Sequence, residues 1–171
     1  AALDRDGADV IFIALHGEFG ETGDLQEICE RCGLVYVGSG AAASRLAMDK
    51  VAAKQAFAAA GLTTPPGTTI EADTPPQERL RRLEEVGLPC VVKPVDDGSS
   101  VGVTMATDAG DRDAAVDVLV ATRGRALVER KIDGRELTVG ILAERALPVL
   151  EIIPAEGAYD YEAKYNRDDT Q

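Results

Sequence analysis

The residues that most clearly suggest chemistry are a lysine within an apolar segment and a glycine-rich loop that follows it. Lys93 lies in the segment 90–95, and the loop Gly98-Ser99-Ser100-Val101-Gly102 comes shortly afterwards. Burying an ammonium group costs free energy unless an anion meets it. Glycines beside small hydroxyl residues can offer several backbone N–H donors to phosphate oxygens. Together these features predict a phosphate clamp; the alternatives are an edge-strand lysine that faces water and a plain hairpin turn.

A second group of charged residues lies where a later predicted strand ends. The run Glu129-Arg130-Lys131-Ile132 follows the apolar residues 126–128, and Glu136 comes soon after it. Carboxylates at such a crossover can accept hydrogen bonds from an adenine amino group and from ribose hydroxyls. Taken alone, however, the run is better interpreted as a set of solvated turn charges.

His16 is the only histidine, and it lies just beyond the apolar segment 10–15. Ligands of open α/β sheets bind beyond the carboxyl ends of the strands, so His16 is a candidate ligand contact, although a lone histidine is usually structural. Cys29 and Cys32 have C-x-x-C spacing. A zinc site needs about four ligands, and the chain offers no second pair. A redox motif stays open, and cysteines that merely pack or face solvent are the simpler interpretation.

Composition and charge restrict the class of protein. The chain has 171 residues, 45% of them hydrophobic, and its 30 acidic and 18 basic residues give a formal net charge of −12. Such a charge repels nucleic acids and anionic membranes, and no apolar run is long enough to cross a bilayer. An odd number of cysteines argues against a disulfide framework. No signal-peptide pattern opens the chain, so we expect a cytoplasmic protein.

The elements that would position these residues alternate between strands and helices. Residues 10–15, a helix between Asp24 and Gly33, and residues 34–37 form a predicted strand–helix–strand unit of an open parallel sheet. Asp24 is the expected N-cap of that helix, and Gly33 is its expected C-terminal stop.

The following residues predict a mixed α+β region. Helices are expected at residues 49–60, from the capping sequence 74–77 to Gly87, and at 111–122. Val118 and Leu119 would face inward from the last of these. Strands are expected at residues 90–94, 103–107 and 126–129. Residues 137–142 and 147–153 would form an antiparallel pair with a turn at Glu144-Arg145.

Five segments resemble successive blocks of one known family, the D-alanine–D-alanine ligases. In chain order they read HGEFGETGDLQ, YVGSGAAASRLAMDKVAAK, VVKPVDDGSSVGV, VERKIDGRELTVGIL and YDYEAKY. The resemblance extends from about Asp9 to Gln171 and implies an ATP-grasp fold, of mixed α/β and α+β class. Residues 1–41 would end an N-terminal, substrate-binding parallel-sheet domain. Residues 42–129 would form the central, smaller ATP-grasp subdomain, and residues 130–171 would begin the larger C-terminal one with its mobile loop.

The resemblance also implies a reaction. Two D-alanines would be joined to D-alanyl-D-alanine at the expense of ATP, for the synthesis of peptidoglycan precursors. The carboxylate of the first D-alanine attacks the γ-phosphorus of ATP, and the amine of the second attacks the resulting acyl phosphate. Phosphoryl transfer depends mainly on positioning and charge neutralisation, which explains a need for lysines, N–H donors and Mg²⁺. D-alanine and ATP are therefore the expected partners, and a homodimer is left open.

By the same resemblance, three segments would hold the nucleotide. Lys50 and Lys93 would contact ATP phosphates, and the loop 98–102 would close over them. The run Glu129-Arg130-Lys131-Ile132 would line the adenine site, and Glu136 would hold the ribose.

Residues near both ends of the chain would complete the implied site. His16 would lie near the carboxylate of the first D-alanine. Lys164 would reach the γ-phosphate from the mobile loop. Tyr165 would join Ser99 in a hydrogen-bond network that keeps the site closed, and it favours an amine as the second substrate.

The sequence departs from the family pattern in three respects. Its first glycine-rich motif reads Gly20-Glu21-Thr22-Gly23, where the family usually has Gly-Glu-Asp-Gly. The early strand whose Glu binds the first substrate's ammonium is absent. The Mg²⁺ ligands and a transition-state arginine would lie beyond Gln171, so we expect the chain alone to be inactive. The alternatives are another ATP-grasp amino-acid ligase, a truncated nucleotide-binding remnant, and a generic α/β domain with accidental motifs.

Overall fold

The computed structural model describes residues 8–153. Within this range the chain forms five helices and ten strands. In chain order these are β1 (Ile11–Phe12), α1 (Asp24–Cys32), β2 (Tyr36–Val37), α2 (Ala41–Met48), α3 (Lys50–Ala59), β3 (Gly67–Glu71), α4 (Pro76–Val86), β4 (Cys90–Lys93), β5 (Thr104–Ala106), α5 (Ala109–Arg123), β6 (Arg125–Arg130), β7 (Glu136–Thr138), β8 (Ile141–Leu142), β9 (Arg145–Ala146) and β10 (Leu150–Ile152).

A four-stranded antiparallel sheet in the order β3-β6-β4-β5 forms the centre of the described structure. Helices α4 and α5 pack on one face of this sheet. The core between them consists of Ile70, Leu83, Val86, Cys90, Val92, Ala106, Val116, Leu119, Ala126 and Val128. Full burial of an aliphatic side chain stabilises a fold by roughly 1.5–3 kcal/mol, so this layer holds the sheet and the two helices together.

Strand alternation turns a second, more polar face away from the core. In β4, Cys90 and Val92 are fully buried in the core, whereas Val91 and Lys93 are half-buried. Successive side chains of a strand point to opposite faces of a sheet. Val91 lies directly opposite Glu129 of β6 in the register, so Lys93 and Glu129 share the polar face.

Helix α3 lies beside this polar face, where its Lys54 pairs with Glu129, and its start is fixed by a side-chain cap. The carboxylate of Asp49 accepts hydrogen bonds from the backbone N–H groups of Val51 and Ala52, each at 2.9 Å. A capping aspartate satisfies donors that the first turn leaves unpaired. The backbone N–H of Lys50 also donates to the carbonyl of Val95 at 2.9 Å. The helix therefore begins beside the chain that leaves β4.

The first part of the described chain contains the predicted strand–helix–strand unit. Strands β1 and β2 pair in parallel, as expected, but each has two residues where the apolar segments 10–15 and 34–37 predicted longer strands. A strand is counted only where a neighbour completes its hydrogen bonds, and within residues 8–153 these two strands pair only with each other. The prediction of the unit was right, and that of its strand lengths was wrong.

Helix boundaries differ from the prediction in small ways. The N-cap of α1 is Gly23, and Asp24 is the first helical residue. Similarly, Thr74 does not cap α4; its hydroxyl accepts from the N–H of Glu71 at 2.9 Å, and Pro75 precedes the helix. Helix α2 was not predicted, because its small residues lack a clear apolar stripe.

In α5 one of the two predicted inward residues is wrong. Leu119 is buried, but Val118 is 61% exposed, and Val116 takes the inward position instead. Residues three apart on a helix share a face, whereas neighbours diverge by about 100°. Val116 and Leu119 satisfy this spacing, and Val118 does not.

The last described segment forms two antiparallel pairs. Strands β7 and β10 pair with each other, which confirms the predicted pairing, and β8 and β9 form a short hairpin between them. The hairpin turns at Ala143 and Glu144, whose φ angles are 47° and 64°, one residue earlier than expected. None of the helices within residues 8–153 is long and apolar enough to cross a membrane.

Candidate active site

A buried carboxylate held by two lysines occupies the polar face of the central sheet. The side chain of Glu129 is 6% exposed, and its two oxygens have different partners: Oε1 accepts from Lys54 of α3, and Oε2 pairs with Lys93 of β4. Burial opposes ionisation of this carboxyl, but the hydrogen bonds from both lysines outweigh it, so the pKa of Glu129 lies below its ordinary value. The anion that meets Lys93 is therefore Glu129.

The sheet makes room for this carboxylate by placing a glycine beside it. Gly67 of β3 lies directly opposite Glu129 in the register. A Cβ atom at Gly67 would lie 2.6 Å from the carbonyl oxygen of Val128 and 2.8 Å from Cγ of Glu129. No side chain fits in that space without displacing backbone, so the glycine is required for the position of Glu129.

Lys50, at the start of α3, is the third lysine near the polar face. Its ammonium donates to the carbonyl of Asp97 at 2.6 Å and lies 3.5 Å from the carbonyl of Val95. Burial, and then repulsion from the Lys93 ammonium, lower the pKa of Lys50. Both effects disfavour the charged form, and a bound anion would offset them. The arrangement is therefore suited to an anionic ligand.

These side chains line a cavity of about 330 Å³, which we call the lysine cavity. Its charged lining is formed by Lys50, Lys54, Lys93 and Glu129, and its apolar lining includes Phe57 and Pro65. Ligand pockets of this size, on the order of 300 Å³ and above, combine apolar walls with a few polar groups that orient the ligand. An anionic molecule with a flat apolar part matches both linings.

The glycine–serine loop joins β4 to β5, so it is a hairpin connection beside the lysine cavity. Ser99 and Ser100 have φ angles of 52° and 59°, a left-handed conformation that is uncommon for residues other than glycine. Two backbone hydrogen bonds hold this shape. Val101 N–H donates to the carbonyl of Gly98 at 3.1 Å, and Val103 N–H donates to the carbonyl of Ser100 at 3.3 Å. Strained backbone of this kind is frequent at ligand-binding loops.

Two arginines hold the base of this loop. Arg125, at the start of β6, lies 3.0 Å from the carboxylate of Asp49 and 3.3 Å from that of Asp96. Arg123, at the end of α5, pairs with Asp97 at 2.7 Å and with Glu18 at 3.5 Å. The network links the loop base to the cap of α3 and to the segment after β1.

His16 lies in a different groove from the lysines. It is exposed and lines a groove of about 690 Å³ together with residues of β1, β2 and α2. Glu21 connects the two regions: its Oε2 accepts from Gly17 N–H at 2.8 Å and lies 3.5 Å from the Cβ position of Gly98. The loop 98–102 thus approaches the segment that carries His16.

The remaining candidate residues lie away from the lysine cavity or outside the described range. The Arg130 guanidinium lies 3.3 Å from the carbonyl of Val86, Lys131 pairs with Asp133, Ile132 is 62% exposed, and Glu136 opens β7 at the surface. Lys164 and Tyr165 lie outside residues 8–153. Their assigned roles stay predictions.

The sequence did not lead us to predict Lys54 as a site residue. Lys54 follows Lys50 by one helical turn, and residues at this spacing lie on the same face of a helix. That spacing was a usable signal, but the surrounding alanine-rich sequence favoured a plain surface helix. Within residues 8–153 no group of three or more His, Cys, Asp or Glu side chains lies close enough together to hold a metal ion.

Solved structures share this fold along nearly the whole chain. A D-alanine–D-alanine ligase from Bacillus anthracis superimposes with a TM-score of 0.80 and 31% identity, over 97% of this chain and 54% of that protein. A second structure of the Bacillus anthracis ligase, described as complexed with ATP, matches with a TM-score of 0.76 and 28% identity over 85% of this chain and 49% of that one. The fold defines the class: this is an ATP-grasp protein.

Sequence comparisons specify the family within that class. Residues 56–171 match the family model described as "D-ala D-ala ligase C-terminus". The D-alanine–D-alanine ligase of Trichlorobacter lovleyi is 47% identical over 165 residues, which is 96% of this chain and 51% of that ligase. This chain belongs to the D-alanine–D-alanine ligase family. It spans about half the length of the curated relatives that it matches.

Proposed function

We propose that this chain carries the nucleotide-binding part of an ATP-dependent D-alanine–D-alanine ligase. The observation that supports this most directly is the lysine cavity, where Lys50 and Lys93 lie near a buried, ionised Glu129. Lysine ammonium groups neutralise phosphate oxygens as point charges. A related ligase described as complexed with ATP supports the choice of nucleotide.

Each part of the cavity suits one part of ATP. Lys50 and Lys93 would hold the phosphates, and the Glu129 carboxylate would accept a hydrogen bond from the amino group of adenine. Phe57 and Pro65 would cover the flat face of the base, since aromatic and apolar surfaces favour stacking. The loop 98–102 would close over the phosphates.

The reaction that we propose is the two-step ligation of two D-alanines. The first D-alanine carboxylate attacks the γ-phosphorus, ADP leaves, and the second D-alanine amine displaces phosphate from the acyl phosphate. His16 near the first D-alanine, and Lys164, Tyr165 and Ser99 in closure, are part of this proposal. Mg²⁺ would neutralise phosphate charge; that its ligands lie beyond Gln171 stays a prediction. The cytoplasmic address and the domain boundaries at residues 41 and 129 also stay predictions, and a homodimer is left open.

Replacement of Lys93 tests the proposal. In the native polypeptide expressed from its own reading frame, Lys93→Ala should weaken ATP binding by at least about 10-fold, because a hydrogen bond to a charged group contributes roughly 1.5–3 kcal/mol. Calorimetric titration with ATP measures binding. Mass-spectrometric detection of D-alanyl-D-alanine, formed from ATP, Mg²⁺ and D-alanine, measures turnover.

Arg81→Ala is the matched control, since the ion pairs of Arg81 within residues 8–153 are with Glu78 and Glu85 of its own helix, and it should leave both measurements unchanged. Unchanged ATP affinity in a folded Lys93→Ala protein would remove Lys93 from the phosphate site. A product other than D-alanyl-D-alanine, found with a panel of second amino acids and hydroxy acids, would assign the chain to a different ATP-grasp ligase.

A further inference from the structure

Lys54 has no part in the proposed phosphate contacts, yet it makes two polar contacts inside the lysine cavity. Its ammonium donates to Oε1 of Glu129 and to the carbonyl oxygen of Pro65. The side chain is 23% exposed. Ordering a long lysine side chain costs conformational entropy, so a lysine with both these contacts has a defined position rather than a solvated one.

Nucleotide binding would affect the two oxygens of Glu129 differently, because each is paired with a different lysine. Oε2 pairs with Lys93, and Lys93 is the residue that would turn towards a phosphate. Oε2 then loses its cation, whereas Oε1 keeps Lys54. A buried carboxylate without any cation is costly and tends to take up a proton. Lys54 is therefore the group that keeps Glu129 ionised and in place after Lys93 has moved.

We propose that Lys54 is a positioning residue that makes the site select adenine over purines with a carbonyl at the same position. It holds Oε1 of Glu129, so that Oε2 remains an acceptor for the exocyclic amino group. An acceptor attracts that amino group and repels a carbonyl oxygen. This inference rests on the proposed nucleotide site and names the origin of its base selectivity.

Loss of Lys54 would change what Glu129 can bind. When Lys93 turns towards a phosphate, no ammonium would then contact either oxygen of Glu129, and the buried carboxyl would tend to take up a proton. A protonated carboxyl can donate to a carbonyl as well as accept from an amine. The preference for adenine therefore falls because the contact to the base changes, whereas Lys93 still contacts the phosphates.

Helix stability has to be separated from this role. All ten residues of α3 are half-buried or exposed, so the contacts of Lys54 also help to hold the helix on the sheet. Lys54→Arg keeps the charge and can restore the contact to Glu129. Lys54→Gln keeps a hydrogen-bond donor for the carbonyl of Pro65 but removes the charge. Gln55→Met, at the exposed neighbouring position, is the matched control for a change of helix surface.

The experiment compares three probes by calorimetric titration on the native polypeptide expressed from its own reading frame. They are ATP, inosine triphosphate, which has a carbonyl where adenine has its amino group, and inorganic triphosphate, which has no base. Lys54→Met and Lys54→Gln should weaken ATP binding by about 10-fold, the value of one charged hydrogen bond. Inosine triphosphate and triphosphate should change by less than about 2-fold. Lys54→Arg should recover most of the preference, and Gln55→Met should match the wild type.

Other results would overturn the inference in identifiable ways. An equal loss for all three probes would mean that Lys54 acts on the phosphates or only on the fold. Wild-type chain that binds ATP and inosine triphosphate equally would leave the proposed function standing and remove the selectivity role. Wild-type chain that binds none of the probes would contradict the nucleotide site itself, and with it the role of Lys54.

Discussion

Lys50 combines a buried position with a neighbouring like charge, and this predicts how nucleotide binding depends on pH. The pKa of Lys50 lies below its ordinary value of 10.5, because burial and then the Lys93 ammonium disfavour its charged form. Phosphate binds the charged form. ATP affinity should therefore be fully present below the lowered pKa and should fall as the pH rises through it, at a lower pH than for an ordinary lysine.

Lys50→Arg separates this effect from the titration of other groups. A guanidinium stays charged throughout the accessible pH range, so the variant should lose less ATP affinity between about pH 7.5 and about pH 10. The terminal phosphate ionises at about pH 6, below this range, so its titration does not contribute. Calorimetric titration with ATP across this range is the measurement. The same alkaline loss in the wild type and the variant would show that Lys50 does not carry it.

At the residue scale, the sequence predicted that Lys93 needs an anionic partner but not which residue provides it. A lysine in the strand 90–93 required an anion, and in the structure that anion is Glu129. Glu129 itself was predicted only as a residue that lines the adenine site. Its pairing could not be predicted, because it depends on the register between β4 and β6, which a single sequence does not contain.

At the scale of elements, two arginines connect the glycine–serine loop to the rest of the molecule. Arg123 and Arg125 hold Asp97 and Asp96, which immediately precede the loop. Ion pairs with a solvent-exposed partner contribute little individually, about 0–1 kcal/mol each, but these two restrict the same short segment. The loop should therefore open more often when both arginines are replaced, while the core stays unchanged.

Hydrogen exchange of the segment 98–104 measures this opening. In an Arg123→Gln and Arg125→Gln double variant, the amides of Val101 and Val103, which donate within the loop, should exchange about 3- to 10-fold faster, the range that corresponds to roughly 1 kcal/mol. Arg81→Gln on α4 is the control and should leave the loop unchanged. Unaltered exchange in the double variant would mean that the turns alone hold the loop.

Most elements were predictable, and the errors have a common physical cause. Strands β4 to β6 and helices α3 to α5 have local signals in capping residues, glycines and apolar runs, and they lie close to their predicted positions. Strands β1 and β2 are shorter than their apolar runs, because strand length depends on the neighbour that completes the hydrogen bonds. Pairing partners and the unpredicted strand β3, which pairs with β6, likewise depend on contacts distant in sequence.

At the scale of the whole molecule, the hydrophobic core cluster lies in one part of the described chain, although Leu25, Cys29 and Ala41 are also buried before it. Every member of the core cluster lies between Ile70 and Val128. The outer strands carry large apolar side chains at the surface, among them Phe12 at 75% and Ile141 at 68% exposure. Local stability follows the density of buried apolar contacts, so the central sheet and the outer strands should not unfold as one unit.

Native-state hydrogen exchange of the 171-residue chain tests this division. The amides of β3, β4 and β6 should exchange only through global unfolding, whereas those of β1, β2 and β7 to β10 should exchange at least about 100-fold faster. Val128→Ala, at a fully buried position, should cost about 2 kcal/mol and lower the protection of all sheet amides together. Phe12→Ala should leave them unchanged. Lower sheet protection in Phe12→Ala would instead place β1 in the same cooperative unit as the core, despite the exposure of its side chains.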